Sequence, residues 1–163
     1  MSEDSNVTPE IASESEGLRR LKELEATGKY VFHGSDHIIA ELEPRQAENN
    51  RQPDGEPAVC ASKTIDLALF RAIFNAHGVK NISATSGWNG NNFYADQVLH
   101  DTALTAPGYV HVLAAEDFTQ FPGRNEWRCT HHVKPLEVIE VSRPDFTIPV
   151  AVRVEKDKTA PQA

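Results

Sequence analysis

Hydrophobic residues recur with a helical period near the start of the chain and then give way to a strand pattern. The apolar positions lie three residues apart among charged residues, and a glycine follows where helices commonly end. The sequence therefore predicts an amphipathic helix over residues 16–27 and, after it, an apolar strand over residues 30–35. The leucines of the helix are Leu18, Leu21 and Leu24, and the glycine is Gly28.

A long polar segment separates this strand from the next apolar one. Residues 42–57 are dominated by Glu, Pro, Arg, Asn, Gln, Asp and Gly, and loops of this length in compact domains are often functional. The segment is therefore a candidate lid or substrate-facing loop. After it, residues 57–61 predict a short strand, and Ser62 or Thr64 can cap a helix whose apolar period continues to Gly78.

The second half of the chain alternates β-branched and aromatic runs with turn residues. These runs predict a mostly antiparallel sheet. Residues 86–92 form a turn-rich loop that carries Trp88. This side chain is suited to contact an aromatic ring of a ligand. The alternative is that it packs back on the sheet. The runs cover residues 79–85, 93–99, 109–115, 127–133, 136–141 and 146–154.

The composition fits one folded domain between two tails. The chain has 163 residues, of which 39% are hydrophobic and 25% charged, and this length suits a single core. Residues 1–15 are acidic and carry few large apolar groups, so we expect a disordered N-terminal tail. The expected domain is of the α+β class and spans residues 16–154, and residues 155–163 are expected to form a flexible C-terminal tail.

The net charge of −8 argues against broad attachment to nucleic acid, which normally needs a basic face. Part of this charge lies in the N-terminal tail, so a local basic groove stays compatible with the sequence. The longest apolar runs are far shorter than the roughly 20 residues of a membrane-spanning helix. The acidic start also lacks the apolar region of a secretory signal. We therefore expect a cytoplasmic protein with no membrane partner.

Sequence motifs for several common chemistries are absent. There is no glycine-rich dinucleotide or phosphate loop, no His-Glu-x-x-His and no Gly-x-Ser-x-Gly. His33 and His37 are four residues apart, but the intervening Gly34 and Ser35 disfavour the helix that would align them, so we expect no metal. The adjacent pair His131 and His132 adds no ligand set. Two cysteines, Cys60 and Cys129, are too few for a disulfide framework and are interpreted as buried thiols.

The triplet His33-Gly34-Ser35 stands where the first apolar strand ends. It combines a titratable donor, an accessible backbone amide and a hydroxyl. Gly34 permits either a turn or the close approach of a ligand, because it has no side chain. These residues alone leave two interpretations open, a small polar site and an ordinary Gly-Ser turn.

The order of these features resembles the ADP-ribosyltransferase fold, and in particular the small rifampin ADP-ribosyltransferases. Members have a strand ending in His-Gly-Thr or His-Gly-Ser, a variable loop, a strand running into a helix, and a sheet-rich half. The resemblance spans about residues 29–141, most of the expected domain. The matching segments are residues 30–35, 59–68, 109–113, 121–128 and 135–139.

This resemblance implies a split, mostly antiparallel sheet with a few flanking helices and with NAD, the co-substrate, in the cleft between the halves. By analogy His33 would hydrogen-bond a ribose hydroxyl, and the backbone of Gly34 would hold the nicotinamide carboxamide. Ser35 would add a hydrogen bond nearby. The further NAD-binding candidates are Ser62, Trp88 and Tyr94.

Two carboxylates are candidates for catalysis. Breaking the bond between nicotinamide and ribose passes through an oxocarbenium-like centre, which a nearby carboxylate would stabilise. Glu126 is the first candidate, because the resemblance places a catalytic glutamate just before the strand at residues 127–133. Asp117 is the second candidate, in the loop after the central strand. Cys60 stands where members commonly carry a tyrosine that stacks on the nicotinamide.

The implied activity is mono-ADP-ribosylation of an unknown acceptor, which could be a protein, a nucleic acid or a small molecule. The polar segment 42–57 is longer than in the rifampin enzymes, so rifampicin itself is not supported. One alternative is a catalytically inactive module that binds NAD or another ligand, which Cys60 favours. The other is an RNA 2'-phosphotransferase-like enzyme, which would need a basic cluster, whereas the arginines are scattered along the sequence.

Overall fold

A computed structural model describes residues 14–46, 48–49, 52–53, 55–74, 86–89 and 92–153. These residues form an α+β fold in which nearly all strand pairs are antiparallel, as the sequence predicts. The exception is one parallel pair near the C-terminus. The helices are α1 (Glu16–Thr27), α2 (Ile65–Ile73) and α3 (Gln97–Ala103).

Within the described ranges, the strands form three sheets of three strands and one small hairpin. The first sheet has the order β1-β7-β10, the second β4-β9-β8 and the third β11-β6-β5, while β2 pairs with β3. The strands are β1 (Tyr30–Ser35), β2 (Glu48–Asn49), β3 (Gln52–Pro53), β4 (Val59–Ala61), β5 (Ser86–Asn89), β6 (Asn92–Asp96), β7 (Gly108–Ala114), β8 (Thr119–Gln120), β9 (Trp127–Cys129), β10 (Glu137–Val141) and β11 (Val150–Arg153).

Helix α1 has the bounds that its sequence pattern predicts. Ser15 is its N-cap, since the Ser15 hydroxyl accepts the Leu18 N–H at 3.0 Å and donates to Asp145 at 2.7 Å. Gly28 ends the helix with a φ of 73°, a conformation that glycine adopts without strain. The expected N-terminal tail lies outside the described residues up to residue 13, and the expected C-terminal tail at 155–163 lies outside them entirely.

Two hydrophobic clusters pack on opposite faces of β1. Phe32 faces the larger cluster, in which α1 and α2 cover the first sheet, while Val31 faces a smaller cluster between the first and second sheets. This alternation follows from the two-residue period of a strand. No helix in the described ranges is long and apolar enough to cross a membrane.

Two glycines bring α2 into direct contact with the backbone of the first sheet. A Cβ on Gly34 would lie 2.0 Å from the Ala68 carbonyl oxygen and 2.7 Å from the Ala72 nitrogen. A Cβ on Gly108, in the neighbouring strand β7, would lie 2.3 Å from the Ala72 carbonyl oxygen. The glycines and alanines therefore allow a helix-to-sheet approach that larger residues would prevent.

Replacing Gly34 with alanine is expected to destabilise the fold by about 1–3 kcal/mol, because the added methyl would clash with main-chain atoms that no rotamer change can move. Urea unfolding measures this loss. Thr119→Ala, an exposed substitution in β8, is the control for a generic strand change. A Gly34→Ala protein as stable as the control would contradict the described contact between α2 and β1.

Several predicted boundaries are wrong, and each error has a local cause. The strand expected at 93–99 ends at Asp96, and α3 follows because Leu99 and Ala103, four residues apart, are both buried on one helix face. The strand expected at 127–133 ends at Cys129. Part of the expected loop at 86–92 is strand β5.

Other predicted segments are shorter than expected or lie outside the described residues. Helix α2 ends at Ile73 rather than at Gly78, and the strand expected at 79–85 is not in the described ranges. The polar segment 42–57 contains the hairpin β2–β3, and Arg45 pairs with Ala58 at its base. The C-terminal run 146–154 contributes β11, after a 3₁₀ turn at Arg143–Asp145.

Candidate functional site

The first and second sheets touch along β1 and β4 at one backbone pair. Phe32 and Ser62 exchange two hydrogen bonds, of 2.7 and 2.9 Å. In a continued antiparallel ladder the next pair to exchange such bonds would be Gly34 with Cys60. The described residues show no such pair, so the two strands diverge there and leave a gap between their edges.

The side chain of His33 takes the place of the missing ladder bond. Its Nδ1 lies 2.8 Å from the Cys60 carbonyl oxygen. Because a carbonyl oxygen can only accept, Nδ1 donates its proton, and Nε2 of the neutral ring is left as an acceptor. Burial lowers the pKa of His33. The hydrogen bond to Cys60 by itself raises this pKa, whereas the charges of Arg71, His37 and Arg45 lower it further. His33 is therefore neutral at pH 7.

The backbone of Gly34 faces the same gap. Successive residues of a strand direct their N–H and C=O groups to opposite edges. The N–H and C=O of Gly34 therefore point to the same edge as those of Phe32, which bond to Ser62. Gly34 lies inside the extended strand β1 and does not have a positive φ, so the interpretation of an ordinary Gly-Ser turn is wrong. Its N–H donor and C=O acceptor are offered side by side at the gap.

Glu126 lies next to Cys60, on the side of β4 that pairs with β9. Cys60 pairs with Arg128 between β4 and β9, and burial raises the pKa of the Cys60 thiol to about 11, with a further contribution from the charge of Glu126. The Glu126 carboxylate accepts two hydrogen bonds from Arg128, at 2.7 Å from Nε and 2.6 Å from Nη2. Cys60 thus links the two candidates, since its carbonyl oxygen accepts a hydrogen bond from His33 and its thiol lies beside Glu126.

The hairpin tip before Glu126 is fixed from two sides. The Asn125 side chain accepts the Lys63 N–H at 3.3 Å and donates to the Thr64 hydroxyl at 2.9 Å, which ties the tip to the start of α2. The Phe121 ring contacts two guanidinium groups, since those of Arg124 and Arg128 each lie 4.1 Å from its centroid. The Arg128 side chain is only 9% exposed, so its ion pair with Glu126 is shielded from solvent.

Arginines that are scattered in the sequence converge in space. Arg124 lies 3.5 Å from Glu126, and the charge of Arg71 acts on both Cys60 and Glu126. Arg45 and Arg71 also act on His33. The gap therefore lies in a positive local environment although the chain carries a net charge of −8.

The two serine candidates lie beside the gap, and both are engaged with the protein. The Ser35 hydroxyl is buried and accepts the His37 N–H at 3.2 Å. The Ser62 hydroxyl is buried and donates to the Thr64 carbonyl at 2.7 Å, while the Ser62 backbone pairs with Phe32. Ser62 therefore shapes the edge of the gap through its main chain.

The remaining candidates lie on other elements. Asp117 is exposed on a 3₁₀ turn, Ala115–Asp117, that follows β7. Tyr94 is on β6 and pairs with Gly87 of the neighbouring strand β5, and a Cβ on Gly87 would be 2.7 Å from the Tyr94 hydroxyl oxygen. Trp88 is part of β5, and its side chain is outside the described part of the structure. No described contact joins Asp117 or Tyr94 to His33.

One residue near the site was missed by sequence reasoning. His111 is fully buried in β7 opposite His33, and the two rings form an edge-to-face contact with centroids 5.9 Å apart. Its sequence signal was only a histidine within an apolar run, Tyr109 to Leu113. A histidine in such a run is expected to be buried, and a buried histidine needs hydrogen-bond partners for both ring nitrogens. Its place in the run was therefore the available clue.

The chain was compared with protein families, with curated proteins and with solved structures. No family model, no curated protein and no solved structure matches it.

Proposed function

We propose that this protein binds NAD in the gap between β1 and β4 and acts as a mono-ADP-ribosyltransferase of ADP-ribosyltransferase-like fold. The reaction would transfer ADP-ribose to an acceptor and release nicotinamide. The observation that carries the proposal is the interrupted ladder at His33 and Gly34, which leaves backbone groups facing a gap opposite Cys60, with Glu126 next to Cys60.

The groups at the gap complement the nicotinamide end of NAD. A carboxamide presents an acceptor oxygen beside a donor NH₂ group, and these can pair with the N–H and the C=O of Gly34 respectively. The Nε2 acceptor of neutral His33 suits a ribose hydroxyl that donates a hydrogen bond. These groups are held by β1, which rests directly on α2, so they are preorganised for a ligand.

The charges around the gap complement the rest of NAD and its chemistry. Arg45 and Arg71 supply positive potential near His33, which favours the two negative charges of a pyrophosphate. On the other side, Glu126 is positioned to stabilise the positive charge that develops on ribose as nicotinamide leaves. Cys60, in the place of an aromatic residue, provides no ring to stack on the nicotinamide.

NAD titration of the purified protein tests the proposal. We expect His33→Ala to weaken NAD binding about tenfold, because one hydrogen bond contributes roughly 0.5–1.5 kcal/mol. The matched control is His100→Ala, a histidine on α3 outside the site. Calorimetry measures binding, and chromatography of the reaction mixture measures nicotinamide release.

Three outcomes separate the proposal from its rivals. Binding with nicotinamide release supports a transferase. Tight binding without release indicates an inactive NAD-binding module, which the substitution of Cys60 for an aromatic residue would favour. If millimolar NAD does not bind to the wild-type protein, the proposal is wrong. The converging arginines would then direct the search to an RNA 2'-phosphate as the ligand.

A further inference from the structure

His111 connects β7 to two other segments through its ring nitrogens. Its Nε2 accepts the Ile39 N–H at 2.9 Å, and its Nδ1 donates to the His33 carbonyl oxygen at 3.2 Å. A backbone N–H can only donate and a carbonyl can only accept, so a single neutral tautomer satisfies both bonds. The ring is fully buried, which makes the loss of either bond costly.

The segment at residues 36–41 that His111 holds returns toward the site. Its His37 N–H donates to the Ser35 hydroxyl at 3.2 Å, and the charge of His37 acts on the pKa of His33. Ile38, in the same segment, is a large apolar residue that is 62% exposed. After the segment, Leu42 pairs with Val133 beyond β9, so these residues pass from the first sheet to the second beside the gap.

We propose that His111 is a positioning residue that fixes the 36–41 segment next to His33, where the segment forms one wall of the ligand cleft. The residue acts through the Ile39 amide and the His33 carbonyl, without touching the ligand. This inference rests on the proposed function, since it takes NAD as the ligand of the cleft.

Two nearly isosteric variants separate the two hydrogen bonds. In His111→Asn the amide nitrogen takes the position of Nδ1 and keeps the bond to His33, but the acceptor for Ile39 is lost. In His111→Gln the amide oxygen takes the position of Nε2 and keeps the bond to Ile39. We expect hydrogen exchange of the Ile39 amide to accelerate at least tenfold in His111→Asn, with NAD binding weakened about tenfold, and both to be restored in His111→Gln.

A second pair of variants tests the same bond from its other end and covers the case in which His111 variants fail to fold. Ile39→Pro removes the N–H donor and leaves His111 unchanged. Ile39→Ala removes most of the side chain and keeps the donor. The proposal expects Ile39→Pro to weaken NAD binding about as much as His111→Asn, and Ile39→Ala to have the smaller effect.

The readouts distinguish positioning from a purely structural role. Loss of stability in His111→Asn or Ile39→Pro, with NAD binding unchanged, would overturn the proposal. So would unchanged exchange of the Ile39 amide in His111→Asn. If the wild-type protein does not bind NAD, the proposed function is wrong, whereas accelerated Ile39 exchange in His111→Asn that His111→Gln restores still supports the positioning of the segment by His111.

Discussion

Replacing Glu126 with glutamine is expected to lower the rate of nicotinamide release by roughly 10²–10³-fold, the usual cost of removing one group that stabilises transition-state charge. Glutamine keeps the shape of the side chain and can still bond to Arg128, but it cannot stabilise a positive ribose centre. Because the lost interaction acts in the transition state, the affinity for NAD should change little. Steady-state release of nicotinamide and calorimetric titration of NAD measure the two quantities separately.

Two other carboxyl substitutions complete this experiment. Glu116→Gln changes an exposed carboxylate on the 3₁₀ turn after β7 and is the matched control. Asp117→Asn tests the second catalytic candidate, which lies on the same turn, and we expect activity within about twofold of wild type. A Glu126→Gln enzyme with more than a tenth of wild-type activity would exclude Glu126 from the role, and a large loss in Asp117→Asn would transfer the role there.

Acidification from pH 7 to pH 4 is expected to remove about 3 kcal/mol of folding stability through His111 alone. Burial lowers the pKa of His111 to about 4 from its ordinary 6.5. The hydrogen bond to the His33 carbonyl by itself raises this pKa, and the charges of His33 and His37 lower it. Above pH 6.5 the residue is neutral in both states and has no effect. Between pH 6.5 and 4 only the unfolded state binds the proton, so the folding stability decreases as the pH is lowered. Below pH 4 the loss is complete.

Urea unfolding at pH 7, 5.5 and 4 measures this loss in the wild-type protein and in His111→Asn. The variant should be less stable at pH 7, and its difference from wild type should shrink by about 3 kcal/mol on acidification, because only wild type loses the His111 contribution. His33→Asn reports the contribution of His33, whose pKa burial also lowers. Parallel pH curves for wild type and His111→Asn would show that His111 does not titrate as expected.

Local features of the fold could be predicted because their causes lie within a few residues. The leucine spacing and Gly28 define α1, and runs of apolar and β-branched residues define most of β1, β7 and β10. The break between β6 and α3 at Asp96 could not be predicted in this way, since residues 93–99 are apolar enough for either structure. In such a run tertiary packing decides the outcome.

The candidate site was predicted only in part, because the residues that shape it lie far apart in the sequence. His33, Gly34 and Glu126 were identified by resemblance, and in the structure His33 bonds to Cys60 while Glu126 lies next to Cys60. The reason for Gly34 was not visible, since it depends on the backbone of α2 more than 30 residues later. Arg71 and Arg128 appear unrelated in sequence, yet their charges both act on Cys60.

The contact of α2 with β1 has a mechanical consequence for the proposed cleft. Gly34 and Gly108 meet Ala68 and Ala72 through main-chain atoms, so α2 and this edge of the first sheet can move only as one rigid body. The second sheet is joined to that body at the Phe32–Ser62 pair and by the hydrogen bond from His33 Nδ1 to the Cys60 carbonyl oxygen. A ligand that widens the cleft by moving Cys60 away from β1 would therefore have to break that second bond, with β1 as the fixed side.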